Sequence, residues 1–213
     1  MCWRTDKPLR VLISDVYVDG KNVGIRGRVA QGFLKAGESV VVLPLGDTAT
    51  VSSLDQIHAL PADVSADRHK YAIAGEIVDL KLSGIDSVRL SIGSILSRPA
   101  VQAQPLVRNH CRVKIVVMEE LVTPIIRGSQ MLFHIQSLDI PCVITKLITS
   151  TKNSTNKTIK SPRALTAASS ALVELRLSDR ICIEPFNQCR ALGRFVLRRS
   201  GETIAVGVID AVL

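Results

Sequence analysis

The chain has 213 residues, 46% apolar but only 3% aromatic, and carries 27 lysines and arginines against 19 acids for a formal charge of +8. That length fits one large all-β domain or two domains of about 100 residues each, and a unit of that size buries enough surface to need no disulfide or metal staple. A core so poor in aromatics must be built from Val, Ile, Leu and Ala, a mixture that suits pleated strands better than helices.

In chain order, strand signals recur about every 8–15 residues, and no long helical period competes with them. "NVGIRGRVAQG" sets Val23, Ile25, Gly27 and Val29 against Arg26 and Arg28, and "SVVVLPLG" is a short apolar run closed by Pro44 and Gly46. "GEIVDLKLSG" sets Val78, Leu80 and Leu82 against Asp79 and Lys81. Two prolines in "LSRPAVQAQPLVRNH" then interrupt the pattern, and the charge balance changes there: 12 basic against 11 acidic residues up to position 105, then 15 against 8. We therefore expect two closed β-barrels, residues 1–100 and 110–213, joined by a linker at 101–109. Closure disposes of exposed sheet edges.

In the second half, "CRVKIVVM" sets Val113 and Ile115 against Arg112 and Lys114, and "ALVELRLSD" sets Leu172, Glu174 and Arg176 against Val173, Leu175 and Leu177. Between them runs a long basic loop with Lys152, Lys157, Lys160 and Arg163 and no acid from 150 to 171. The sequons at Asn153 and Asn156 fall in this loop and read as polar loop residues. The chain closes with "LGRFVLRRSGETIAVGVI", a hairpin whose first arm is cationic and whose second arm is nearly uncharged. Arg194, Val196 and Arg198 should share one strand face, with Phe195 and Leu197 on the other. With Arg190 and Arg199 they form a cationic stripe, suited to phosphate or carboxylate or serving as a charged guard on an exposed edge. Ile204, Val206 and Val208 are expected to close the barrel.

Catalytic chemistry finds no foothold. No GxxxxGK[ST] phosphate cradle occurs, and in "NKTI" Ile159 stands where a guanine-reading N-K-x-D needs its acid. His58, His69, His110 and His134 lack metal-ligand spacing, and the adjacent His110 and Cys111 should point to opposite faces of a strand. No cysteine has an identifiable base partner, and no nucleophile elbow is present. The expectation is a non-catalytic, monomeric binding module with no cofactor or metal of its own. Five cysteines without a CxxC pair, no apolar leader in "MCWRTDKPLR" and no long apolar run point to the cytoplasm and away from a membrane.

Several segments, in order, resemble the elongation factor 1-alpha-type translational GTPases. "ALGRFVLRRSGETIAVGVI" is similar to that family's closing hairpin, and "PLRVLISDVY", "GIRGRVAQGFLKAGESVVVLP" and "AIAGEIVDLKLSGID" to its second domain. "CRVKIVV" and "PIIRGSQMLFHIQSLDIPCVITKL" resemble its third domain. The resemblance implies two barrels without the family's GTPase domain, which would carry GTP and magnesium ahead of Met1. It also implies a cargo grip, and it places the hairpin turn, Ser200 and Gly201, near bound cargo. "SALVELRLSDRICIEPF" is similar to the branch that partners Pelota, a tRNA-shaped protein, at stalled ribosomes. The branch delivering class-I release factors and the branch delivering aminoacyl-tRNA remain open, as does a stand-alone basic RNA-binding barrel protein.

Overall fold

The computed structural model describes residues 6–19, 22–57, 70–100, 104–152 and 157–213. His58, His69, both sequon asparagines and positions 101–103 of the expected linker lie outside the described residues. The chain divides into two compact units, one ending at Pro105 and the other starting at Leu106.

The first unit contains β1 (Arg10–Asp19), β2 (Asn22–Gln31), β3 (Phe33–Lys35), β4 (Ser39–Leu43), β5 (Asp47–Gln56), β6 (Tyr71–Ile73), β7 (Ile77–Ser83) and β8 (Ile95–Ser97). Strands β1, β2, β7, β5, β4 and β8 close into a barrel in that order, while β3 and β6 pair separately. The alternation read in the sequence is the inside–outside alternation: Val23, Ile25 and Val29 are buried, and Arg26 and Arg28 between them are exposed. Among the described residues, one buried charge interrupts the apolar interior of this unit. Arg10 is 2% exposed, and its Nη1 donates to Leu9 O at 2.8 Å and Ser97 Oγ at 3.2 Å, hydrogen bonds that offset part of the cost of burying a guanidinium.

The second unit contains β9 (Leu106–Val117), β10 (Ile125–Ile126), β11 (Gln130–Ile135), β12 (Leu138–Lys152), β13 (Thr158–Lys160), β14 (Ala164–Leu165), β15 (Ser169–Ile183), β16 (Arg194–Arg199) and β17 (Glu202–Val212). The sheet runs β11-β16-β17-β9-β15-β12-β13, and pairing of β11 with β12 closes six of these strands into a barrel. β13 is an appendage on β12. β9 begins inside the stretch read as linker, because Leu106–Arg108 pair with Ile181–Ile183 beyond a register shift in β15. Its core holds Val113, Ile115, Val173, Leu175 and Leu197, with Phe133 stacked on Phe195 at 4.4 Å between ring centroids.

The last strand corrects one expectation. Ile204, Ala205 and Ile209 are buried, whereas Val206 is 40% exposed and Val208 only half-buried. A register shift between Leu197 and Arg198 passes over Ile204, so from Ala205 to Ile209 the odd-numbered residues face inward. Gly207 takes the central inward position because a Cβ there would lie 2.6 Å from Phe195 Cζ and 2.7 Å from Lys114 O. Val206 and Val208 belong to the outer surface.

Candidate functional site

Neighbouring strands of the second barrel are antiparallel, so three connections meet at one end: residues 118–129, residues 157–168 of the link from β12 to β15, and the Ser200–Gly201 turn. Both turn residues have positive φ, 51° and 86°, as a two-residue hairpin loop matched to the strand twist requires. Lys152, Lys157, Lys160, Arg163, Arg198, Arg199, Ser200 and Gly201 all lie toward this end. Arg190 and Arg194 lie at the other, in and just after the loop between β15 and β16.

The expected stripe is therefore divided, and its arginines are engaged. The Arg194 guanidinium stacks over Phe186 at 5.0 Å and that of Arg190 at 6.0 Å. Arg198 Nη2 donates to Gly201 O at 2.9 Å and clamps the turn. Arg199 Nη1 donates to Thr123 O at 3.3 Å, tying the hairpin to the connection that leads into β10. β10 in turn pairs with β14, just after Arg163. Lys152, Lys157, Lys160 and Arg163 are all exposed, and none forms an ion pair among the described residues.

Sequence reasoning missed a groove of about 910 Å³ on the outer face of the same barrel. Across its floor run Val196, Val206, Val116, Ser170 and Thr151 in directly paired positions, bounded by Lys114, Arg194 and His134. The signal was present in Val206 and Val208 but was read as core. His134 is held by Asp139, with Nδ1 to Oδ1 at 2.7 Å. Lys114 Nζ sits 2.7 Å from Asp210 and Arg112 Nε 3.2 Å from it. Hydrogen bonding from Lys114, reinforced by Arg112, holds the Asp210 carboxyl below its ordinary pKa of 3.8. Inside the barrel, burial pushes the Cys111 thiol up to about 12, with the nearby Cys142 adding to the shift, and burial does the same to Cys142. Neither has the thiolate character a nucleophile needs.

Comparison with known proteins follows this geometry. A family model described as GTP-eEF1A C-terminal domain-like matches residues 110–210, nearly all of the second barrel. Protein HBS1 of Drosophila melanogaster is 34% identical over 97% of this chain and 30% of its own length. Elongation factor 1-alpha of Sulfurisphaera tokodaii is 30% identical over 96% of this chain and 45% of its own length. That of Pyrobaculum arsenaticum is 32% identical over 96% of this chain and 44% of its own. The chain thus spans less than half the length of these relatives. A crystal structure of sup35 complexed with GDP superposes with a TM-score of 0.84 over 99% of this chain and 48% of that one, at 23% identity, and shares the fold. No helix of the described residues is long and apolar enough to cross a membrane. The second barrel belongs to the GTP-eEF1A C-terminal domain-like family, and over nearly its whole length the chain is similar to elongation factor 1-alpha-like translational GTPases, as a counterpart of their C-terminal barrel domains.

Proposed function

We propose that this chain is the cargo-holding part of a ribosome-rescue GTPase, and that its cargo is a tRNA-shaped protein of the Pelota type, delivered to stalled ribosomes in the cytoplasm. The observation that carries this reading is the 34% identity to Protein HBS1, which extends over 97% of the chain and so over both barrels. The outer row of β16, with Arg194, Val196 and Arg198 facing outward, supports it by offering a mixed apolar and cationic surface suited to a protein partner. In this reading GTP and magnesium are held by a separate nucleotide-binding domain, and the chain alone turns over no GTP.

Calorimetric titration against a Pelota-type protein, a class-I release factor and an aminoacyl-tRNA, at one moderate salt concentration, tests the assignment. Preferential binding of the Pelota-type protein is the expected result. Preference for the release factor would move the chain to the termination branch, and preference for the tRNA to the elongation branch. Charge reversal at Arg194 and Arg198 should weaken cargo binding while the fold, followed by circular dichroism, persists.

A further inference from the structure

We propose that Ser161 is a phosphorylation site for proline-directed serine/threonine kinases, and that its phosphate is drawn onto the cations around it and cancels part of their charge. Kinases of this class hold an extended segment and select proline just after the hydroxyl residue, where no backbone N–H then needs a partner. Of the nine prolines, Pro124 and Pro162 are the two that follow a hydroxyl residue, Thr123 and Ser161. Ser161 is exposed, as are residues 157–160 before it and Arg163 after it, and its hydroxyl makes no hydrogen bond among the described residues. The segment is held lightly. β13 is three residues long and pairs along one edge only, with Thr149, Ser150 and Thr151 of β12, and the Ser161 N–H donates to Ile148 O at 2.8 Å. A short exposed edge strand opens locally at little cost. Ser161 also has φ 47°, whereas a residue before proline prefers extended backbone. Opening the segment therefore brings Ser161 toward both its own preference and the shape a kinase cleft takes.

Thr123 is the poorer candidate. Its carbonyl accepts from Arg199, Ile125 two positions on is fully buried, and the acids Glu119 and Glu120 come just before it. In the transfer to Ser161, the bond between the γ-phosphorus of ATP and its bridging oxygen breaks as Ser161 Oγ bonds to that phosphorus. The hydroxyl proton passes to the kinase's catalytic aspartate, and ADP leaves. The product carries about −1.5 to −2 charges between Lys160 and Arg163, with Lys152 and Lys157 on the same arm and no acid from 150 to 171. None of these four cations has an ion pair among the described residues, so each is available to a phosphate oxygen.

The test incubates the 213-residue chain with ATP and, in separate reactions, a cyclin-dependent kinase and a mitogen-activated kinase, both proline-directed. Intact mass should show the gain of one phosphoryl group, and fragmentation should place it on Ser161. Thr123→Ala should be phosphorylated like the parent, and Ser161→Ala should not. Pro162→Ala should slow the reaction about tenfold or more, the loss expected for one pocket contact. A loosened arm would be phosphorylated faster, so a folding defect in Pro162→Ala cannot imitate that result. In a phosphorus NMR titration, the second pKa of the phosphoserine should lie below its ordinary value of about 6, because neighbouring cations favour the dianion. K160Q/R163Q should restore it. The proposal is overturned if neither kinase modifies the chain, if the phosphoryl group sits on another residue, or if Pro162→Ala reacts as fast as the parent. An unshifted second pKa would overturn the part that concerns the cations.

Discussion

Gly207 decides which residues of the last strand the second barrel can take in. Phe195 needs the space over it, and the strand backbone at Lys114 lies against its other side, so no side chain fits. Gly207→Ala should cost about 1–3 kcal/mol, the range for overpacking a filled core, read as a lower urea midpoint. An unchanged midpoint would show that the Phe195 ring moves aside freely. At the same scale, Cys111 and Cys142 make a prediction in alkali. Their ordinary pKa is 9.0, and burial raises it to about 12 in the native state. The folded chain therefore keeps two protons that the unfolded chain releases above 9. Stability from this source is fully present below pH 9 and is lost as pH rises toward 12. Thermal midpoints should fall more steeply over that interval than those of a Cys111→Ala/Cys142→Ala variant, and parallel slopes would refute the assignment.

At the scale of elements, what was legible was periodicity. β2, β7, β9 and β15 each show one buried and one solvent-facing side, so alternating side chains assign them directly. β17 escaped because its register depends on a bulge whose position is set by the partner strand. The cationic stripe was read as continuous from Arg190 to Arg199, but Arg190 sits in a loop folded around Phe186, and only the structure brings the two together. The ion cluster joining β9 to β17 is a separate test of an element contact. Asp210 accepts from Lys114 and Arg112 with its side chain 25% exposed, so Asp210→Asn should lower stability by about 0.5–1 kcal/mol, the range of a partly solvated pair. Because the carboxyl is held below 3.8 when folded, the contribution is present above that pH and is lost as pH falls below it. The gap between parent and variant melting temperatures should therefore close in acid.

Across the whole molecule, the two-barrel reading rested on a change of charge balance and a proline-flanked break, and the family on the order of several short motifs. What stayed hidden was which charges were free, because availability depends on hydrogen bonds between residues far apart in sequence. Each unit has its own core, the first drawn from Leu9 to Leu96 and the second from Cys111 to Ile209. Each also has its own closed ring of paired strands, contained on one side of the Pro105–Leu106 boundary. About 105 residues suffice for a domain to bury most of its apolar surface unaided, so residues 106–213 expressed alone should fold. Calorimetry should give the isolated unit a single cooperative transition, and its near-ultraviolet dichroism should show packed Phe133 and Phe195. A fragment that melts without cooperativity would mean that closure of the strand ring is not enough, and that the second barrel draws its stability from contacts outside its own core.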